Sequence, residues 1–94
     1  MSKIFKNQTK LILTFDTGQS LVGALSTTIK YIKPSGMKGS FNASINLDNL
    51  VYYVEENDLN EYGNWIFWCA VTFGDGSIGY GEPVRVTVYK EGEL

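Results

Sequence analysis

Glu55, Glu56, Asp58 and Glu61 put four carboxylates into one short stretch, the densest group of titratable side chains in the chain. Two carboxylates about 5 to 9.5 Å apart across a cleft can cleave a glycosidic bond, one as acid and one as base or nucleophile. Four in one loop meet that spacing by chance, and nothing in so small a chain supplies the cleft. Asn57, Asp58, Asn60 and Glu61 are also hard oxygen donors of the kind calcium takes, but the full spacing of a calcium loop is missing. A solvated acidic loop is the simpler expectation.

Other reactive groups are scarce. The chain has no histidine, which removes the usual activation of a serine or cysteine nucleophile and the commonest metal ligand. Cys69 is the single cysteine, so neither an internal disulfide nor a cysteine-based zinc centre is expected. Its place on an apolar row predicts a buried, inert thiol. Gly74, Gly76, Gly79 and Gly81 form a glycine-rich run. They lie in a hairpin and open no helix, so turn geometry is expected of them and not a phosphate cradle. The composition therefore argues for a non-enzymatic protein with no cofactor.

Recognition is the chemistry that remains. In the strand expected over residues 64 to 73, Trp65, Phe67, Cys69, Val71 and Phe73 share one side, while Ile66, Trp68 and Ala70 crowd the other. A sandwich has one interior, so the second apolar row predicts a partner surface. Ile66, Trp68 and Ala70 are the expected contact residues, with Val51, Tyr53 and Tyr89 beside them on outward faces. Outward aromatics also stack on sugar rings, and Trp68, Tyr53, Tyr80 and Tyr89 are the candidates for a carbohydrate-binding module or receptor-binding adhesin domain.

The elements that carry these residues read as strands throughout. Apolar rows of period two run through Leu11, Leu13 and Phe15; Leu25, Thr27, Ile29 and Tyr31; Phe41, Ala43 and Ile45; Leu50, Tyr52 and Val54; and Val84, Val86 and Val88. Turn signals separate them at Thr17-Gly18, Pro34-Ser35-Gly36, Leu47-Asp48-Asn49, Glu61-Tyr62-Gly63 and Gly74-Asp75-Gly76-Ser77. The last of these predicts a hairpin joining the final two strands. Residues 55 to 62 are the one candidate helical turn, with Asn57 and Asp58 as caps and Glu61 in capping-box spacing. The expected fold is an all-β, immunoglobulin-like antiparallel β-sandwich of about seven strands. Trp65, Phe67, Ile29, Tyr31, Leu13 and Val86 are expected in its core.

The chain of 94 residues is 44% hydrophobic and 14% aromatic, enough for one domain over 1 to 94 with its core at about 9 to 90 and short tails. Ile4 and Phe5 in the first tail would pack over a sheet edge or into a neighbour, or fray with one side chain tucked in. No apolar run has signal-peptide character or approaches the roughly 20 residues of a membrane span, which predicts cytoplasmic folding and no membrane contact. Residues 1 to 40 hold six lysines and one acid, whereas residues 41 to 94 hold two cations and nine acids, about +5 against −7. Nucleic acid is not favoured by that balance. A solvated surface or charge-complementary contact between copies of the chain accounts for it.

Two sets of residues resemble known proteins. Asn60-Glu61-Tyr62-Gly63-Asn64-Trp65-Ile66-Phe67 resembles the opening of strand F in immunoglobulin-like domains, with Trp65 where the corner tyrosine stands and Phe67 in place of the second disulfide cysteine. More specifically, Ile29-Lys30-Tyr31-Ile32-Lys33-Pro34-Ser35-Gly36, Asp58-Leu59-Asn60-Glu61-Tyr62-Gly63-Asn64-Trp65 and Gly81-Glu82-Pro83-Val84-Arg85-Val86-Thr87-Val88-Tyr89 look like short immunoglobulin-like structural proteins of tailed phages. They are similar to the N-terminal domain of phage baseplate upper proteins. The resemblance implies a virion component folded in the host cytoplasm: a capsid decoration, a head-to-tail accessory or a tail adaptor. Its partners would be capsid, portal or tail proteins, or copies of itself, with a host surface sugar as the lesser alternative.

Overall fold

Alternating apolar and polar residues, rich in Val, Ile, Thr, Tyr and Phe, favour the half-buried surface of a pleated strand. The computed structural model describes residues 4–9, 11–17, 20–47, 49–90 and 92, and no helix forms among them. The expected turn positions Gly18 and Asp48 lie outside the described residues. The strands are β1 (Ile4–Phe5), β2 (Ile12–Asp16), β3 (Ala24–Ile32), β4 (Lys38–Asn42), β5 (Ser44–Asn46), β6 (Asn49–Tyr53), β7 (Gly63–Phe73), β8 (Ile78–Tyr80) and β9 (Val84–Tyr89).

These strands form two sheets. The larger runs β1-β9-β7-β3-β4, with β8 also on β7, and the smaller runs β2-β6-β5. Their inner faces pack into a sandwich, so the chain is an all-β sandwich as the periodicity predicts. Among the described residues nine segments stand where about seven were expected, because the short β1 and β8 join the larger sheet. β1 lies parallel on β9, with Ile4 opposite Val88 and Phe5 opposite Tyr89, so these two residues of the first tail pack at a sheet edge.

Trp65, Phe67, Ile29, Leu50, Leu59, Val71 and Val88 are fully buried between the sheets. An aromatic column ties the layers together. Phe41 on β4 stacks on Tyr52 of β6 at 4.4 Å between centroids, Tyr31 meets Phe41 at 4.7 Å, and Trp65 meets Tyr31 at 5.3 Å. Gly39, opposite Tyr31 on β4, leaves the space in which that ring lies, since a Cβ there would collide with it. Tyr31 and Val86 are only partly buried, packed against the core from its margin.

Three expected inward residues are exposed, each for a local reason. The β3·β7 register slips between Ala24 and Ser26, so Leu25 becomes the extra residue of a bulge and is 75% exposed. Ile45 lies on β5, a three-residue edge strand with every residue exposed. Val84 opens β9 at the rim of the sandwich and is half exposed.

Two connections also differ from expectation. The 74–77 hairpin joins β7 to β8, and the chain then continues through Gly81 to lay β9 along the same edge of β7. Asp75 closes the hairpin, accepting from the Ser77 N–H at 2.9 Å and the Ser77 hydroxyl at 2.6 Å. Those bonds hold its carboxyl below the usual carboxylate range. Residues 55 to 62 form turns and no helix. Asp58 reaches backward to accept from the Glu55 N–H at 2.7 Å and the Tyr52 hydroxyl at 2.6 Å, and Asn57 adopts a left-handed φ of 68° that ends any helical run.

The indole N–H of Trp65 donates to the Glu61 carbonyl at 2.9 Å, the backward contact to the backbone that a corner tyrosine makes in immunoglobulin-like domains. The chain enters β7 through Gly63, whose φ of 126° and closeness to the Pro34 ring both require the absence of a side chain.

Candidate interaction surfaces

The ladders of the larger sheet decide which side chains share its outward face, because residues directly opposite in an antiparallel pair point the same way. Ile66 of β7 lies between Ile32 of β3 and Arg85 of β9, and Ile32 is in turn opposite Lys38 of β4. Trp68 lies beside Lys30, which faces Ser40. Ala70 lies between Thr28 and Tyr80. The outward strand positions thus carry Lys30, Lys38 and Arg85 and no carboxylate, in a chain whose net charge is −2.

Ile66 and Trp68 are half-buried, neither bathed in solvent nor enclosed. The Lys30 ammonium stands 5.7 Å from the centre of the exposed Tyr80 ring. Trp68, Tyr31, Lys30, Lys38, Gly39 and Ser40 line a shallow depression of ≈ 440 Å³. Ala70 is only 7% exposed beneath its two cross-strand neighbours, so it forms floor and offers little contact area. Tyr89 is half-buried on the same outward face, 6.3 Å from Phe5 between ring centres.

Tyr53 does not join this group. It stands opposite Ile12 on the outward face of the smaller sheet and is 64% exposed. The four aromatics Trp68, Tyr53, Tyr80 and Tyr89 are therefore split between two opposite surfaces and build no single stacking platform. Val51 is outward by register but buried between Thr14 and Ser44, its partners on either side.

The acidic loop does not converge on a site. Glu61 accepts from the Ser35 N–H at 3.1 Å and hydroxyl at 3.0 Å, and lies 3.9 Å from the Lys33 ammonium. Lys33 also donates to Asn60 at 2.8 Å. With Asp58 turned toward Tyr52, three of the donors weighed for calcium, Asp58, Asn60 and Glu61, serve as braces of the β6–β7 connection. Among the described residues no three of His, Cys, Asp and Glu gather as metal ligands would. Burial, then the Asp58 hydrogen bond and the nearby carboxylates, raise the Tyr52 phenol well above its ordinary pKa. Burial likewise pushes the Cys69 thiol up.

A feature the periodicity did not reveal lies where the two sheets part. A cleft of ≈ 380 Å³ runs between β2 and β9, with Leu13, Phe15, Cys69, Gly81, Val84 and Val86 among its walls and floor. The basic character of the outward face was also overlooked, although Lys30 shares a row with Thr28 and Ile32 by simple parity.

No family model matches the chain, and no curated protein is similar to it. Among solved structures, CopC from Methylosinus trichosporium OB3b is similar, at 16% identity and a TM-score of 0.62 over 100% of this chain and 90% of that one. That likeness shows a β-sandwich fold. It also corrects the expectation of a phage virion component: the structure found is not a phage structural protein, and no comparison brings a phage protein to the chain. The physical reason lies in the residues that suggested it. Trp65, Phe67, Ile29 and Val88 are corner and core positions, which any sandwich of this kind must fill.

Proposed function

We propose that the chain is a non-catalytic binding module that docks an acidic protein surface through the outward face of its larger sheet. Trp68, Ile66 and Tyr89 supply the contact area, Ala70 the floor beneath it, and Lys30, Lys38 and Arg85 the charge. The observation that carries this reading is the half-buried Trp68 on a sheet face that holds three cations and no carboxylate at its strand positions, within an acidic chain. Large rings bury area at low entropic cost, and complementary charge sets partner choice and association rate. The absence of histidine and the tethering of Asp58 and Glu61 favour binding over catalysis.

The test uses a synthetic peptide of alternating glutamate and leucine, followed by tryptophan fluorescence and calorimetry. Binding is expected to weaken as salt rises, to be lost in the Lys30→Glu/Lys38→Glu double variant, and to fall with Trp68→Ala while the fold is retained. Equal binding of a peptide with lysine in place of glutamate, or an unaffected double variant, overturns the reading.

A further inference from the structure

We infer that the cleft between β2 and β9 is a strand-addition site, taking an extended segment of a different polypeptide that is apolar at alternate positions and carries a lysine or arginine. The inference stands apart from the docking face, which lies on the outside of the larger sheet.

The lining of the cleft shows its nature. A cavity above one face of a strand is walled by alternate residues, because successive side chains point opposite ways. Here consecutive residues 11 to 16 all contribute, so the cavity runs along the edge of β2. That edge is open: among the described residues β2 pairs with β6 alone. On the facing wall, among the described residues, β1 pairs with β9 at Val88 and Tyr89, and no described strand lies beside Val84 to Thr87 on that side. Backbone donors and acceptors along such edges favour another strand.

The fit extends to side chains. A segment paired with β2 would extend the smaller sheet to four strands and send every second side chain inward. Those side chains would meet Leu13 and Phe15 on one wall, Val84 and Val86 on the other and Cys69 at the floor. Gly81 adds no side chain to the floor, where a Cβ would lie in ordinary contact with the Cys69 Cβ, 3.5 Å away. Glu82 stands exposed at the rim and no cation lines the cleft among the described residues, which selects a basic residue in the occupant. β1 shows the same mode within the chain, as a short apolar strand laid on the β9 edge.

The probe is the acetylated, amidated peptide Lys-Val-Thr-Val-Thr-Val, with a control of the same composition whose alternation is scrambled. Amide hydrogen exchange is read by NMR on the full chain. At a peptide concentration about ten times Kd, open-edge amides between Ile12 and Phe15 are expected to exchange about tenfold more slowly. The scrambled peptide and one with glutamate for lysine should slow them little. Val84→Lys, at a half-exposed position that leaves the fold intact, and Gly81→Leu should each weaken binding at least about tenfold, while Tyr53→Ala leaves it unchanged. No slowing along β2, or equal binding of the scrambled peptide, overturns the inference. So does concentration-dependent dimerisation of the chain alone that Val84→Lys abolishes, which would make a second copy the occupant.

Discussion

The outward face of the larger sheet and the cleft beside β2 present a partner with opposite kinds of surface. On the face, the central strands β3 and β7 are paired on both sides, so recognition falls to side chains: the ring of Trp68 and the charges of Lys30, Lys38 and Arg85. In the cleft, the walls and floor are mainly apolar, with Glu82 at the rim, and a partner meets the edge of β2 that no strand covers among the described residues. A finished sheet selects partners by charge and shape, whereas an open edge selects them by conformation. Salt should therefore weaken binding at the face far more than binding in the cleft.

The largest expected effect separates two tryptophans on one strand. Trp65→Ala should destabilise the fold by about 3–5 kcal/mol in urea unfolding, because it empties a fully buried site and removes the corner hydrogen bond to Glu61. Both binding surfaces would suffer together. Trp68→Ala should change stability by only about 1 kcal/mol and weaken binding at the face alone. Equal destabilisation by the two would mean that the face is interior in function, and the contrast between the surfaces would fall.

A second test asks how firmly the smaller sheet, which carries the cleft, is held to the larger. The Tyr52 phenol is raised above its ordinary value near 10 by burial and by Asp58, so the fold favours the neutral form. Unfolded, the group releases its proton near pH 10 and the folded one does so higher. Between those values the unfolded chain binds fewer protons, and stability should fall as pH rises. Tyr52→Phe should flatten that slope in denaturation series between pH 9 and 11, and an unchanged slope would show that Tyr52 stays neutral in neither state.

Smaller effects sharpen the boundary of each region. Glu61→Gln weakens the tether to Ser35 and Lys33, partly exposed groups, so a loss of at most about 1 kcal/mol is expected, without change at either surface. Leu25→Ser should be nearly silent, within about 0.5 kcal/mol, because the bulge already holds Leu25 in solvent. A large loss there would mean that Leu25 is covered in solution.

Period two and turn chemistry made much of this legible in the sequence. Trp65, Phe67, Ile29 and Leu13 were identifiable as core, and Asp75 and Ser77 as a hairpin turn, because both depend on neighbours close in the chain. Leu25 was misread because a bulge shifts register by one residue, and a one-residue shift exchanges the faces of a strand. The capping pattern at Asp58 was misread because Tyr52 competes for the same carboxylate from another strand.

Sequence alone determined that this chain makes strands, that Trp65, Phe67 and Ile29 share their interior, and that no histidine is at hand. The tertiary structure decided which outward residues stand together. It set Trp68 among Lys30, Lys38 and Arg85, sent Tyr53 to the opposite surface, and parted β2 from β9 over Cys69. Periodicity reports only whether a side chain points in or out of its own strand. Which strands become neighbours, and which edges find none, is set by sheet order, and sheet order is a property of contacts between residues far apart in the chain.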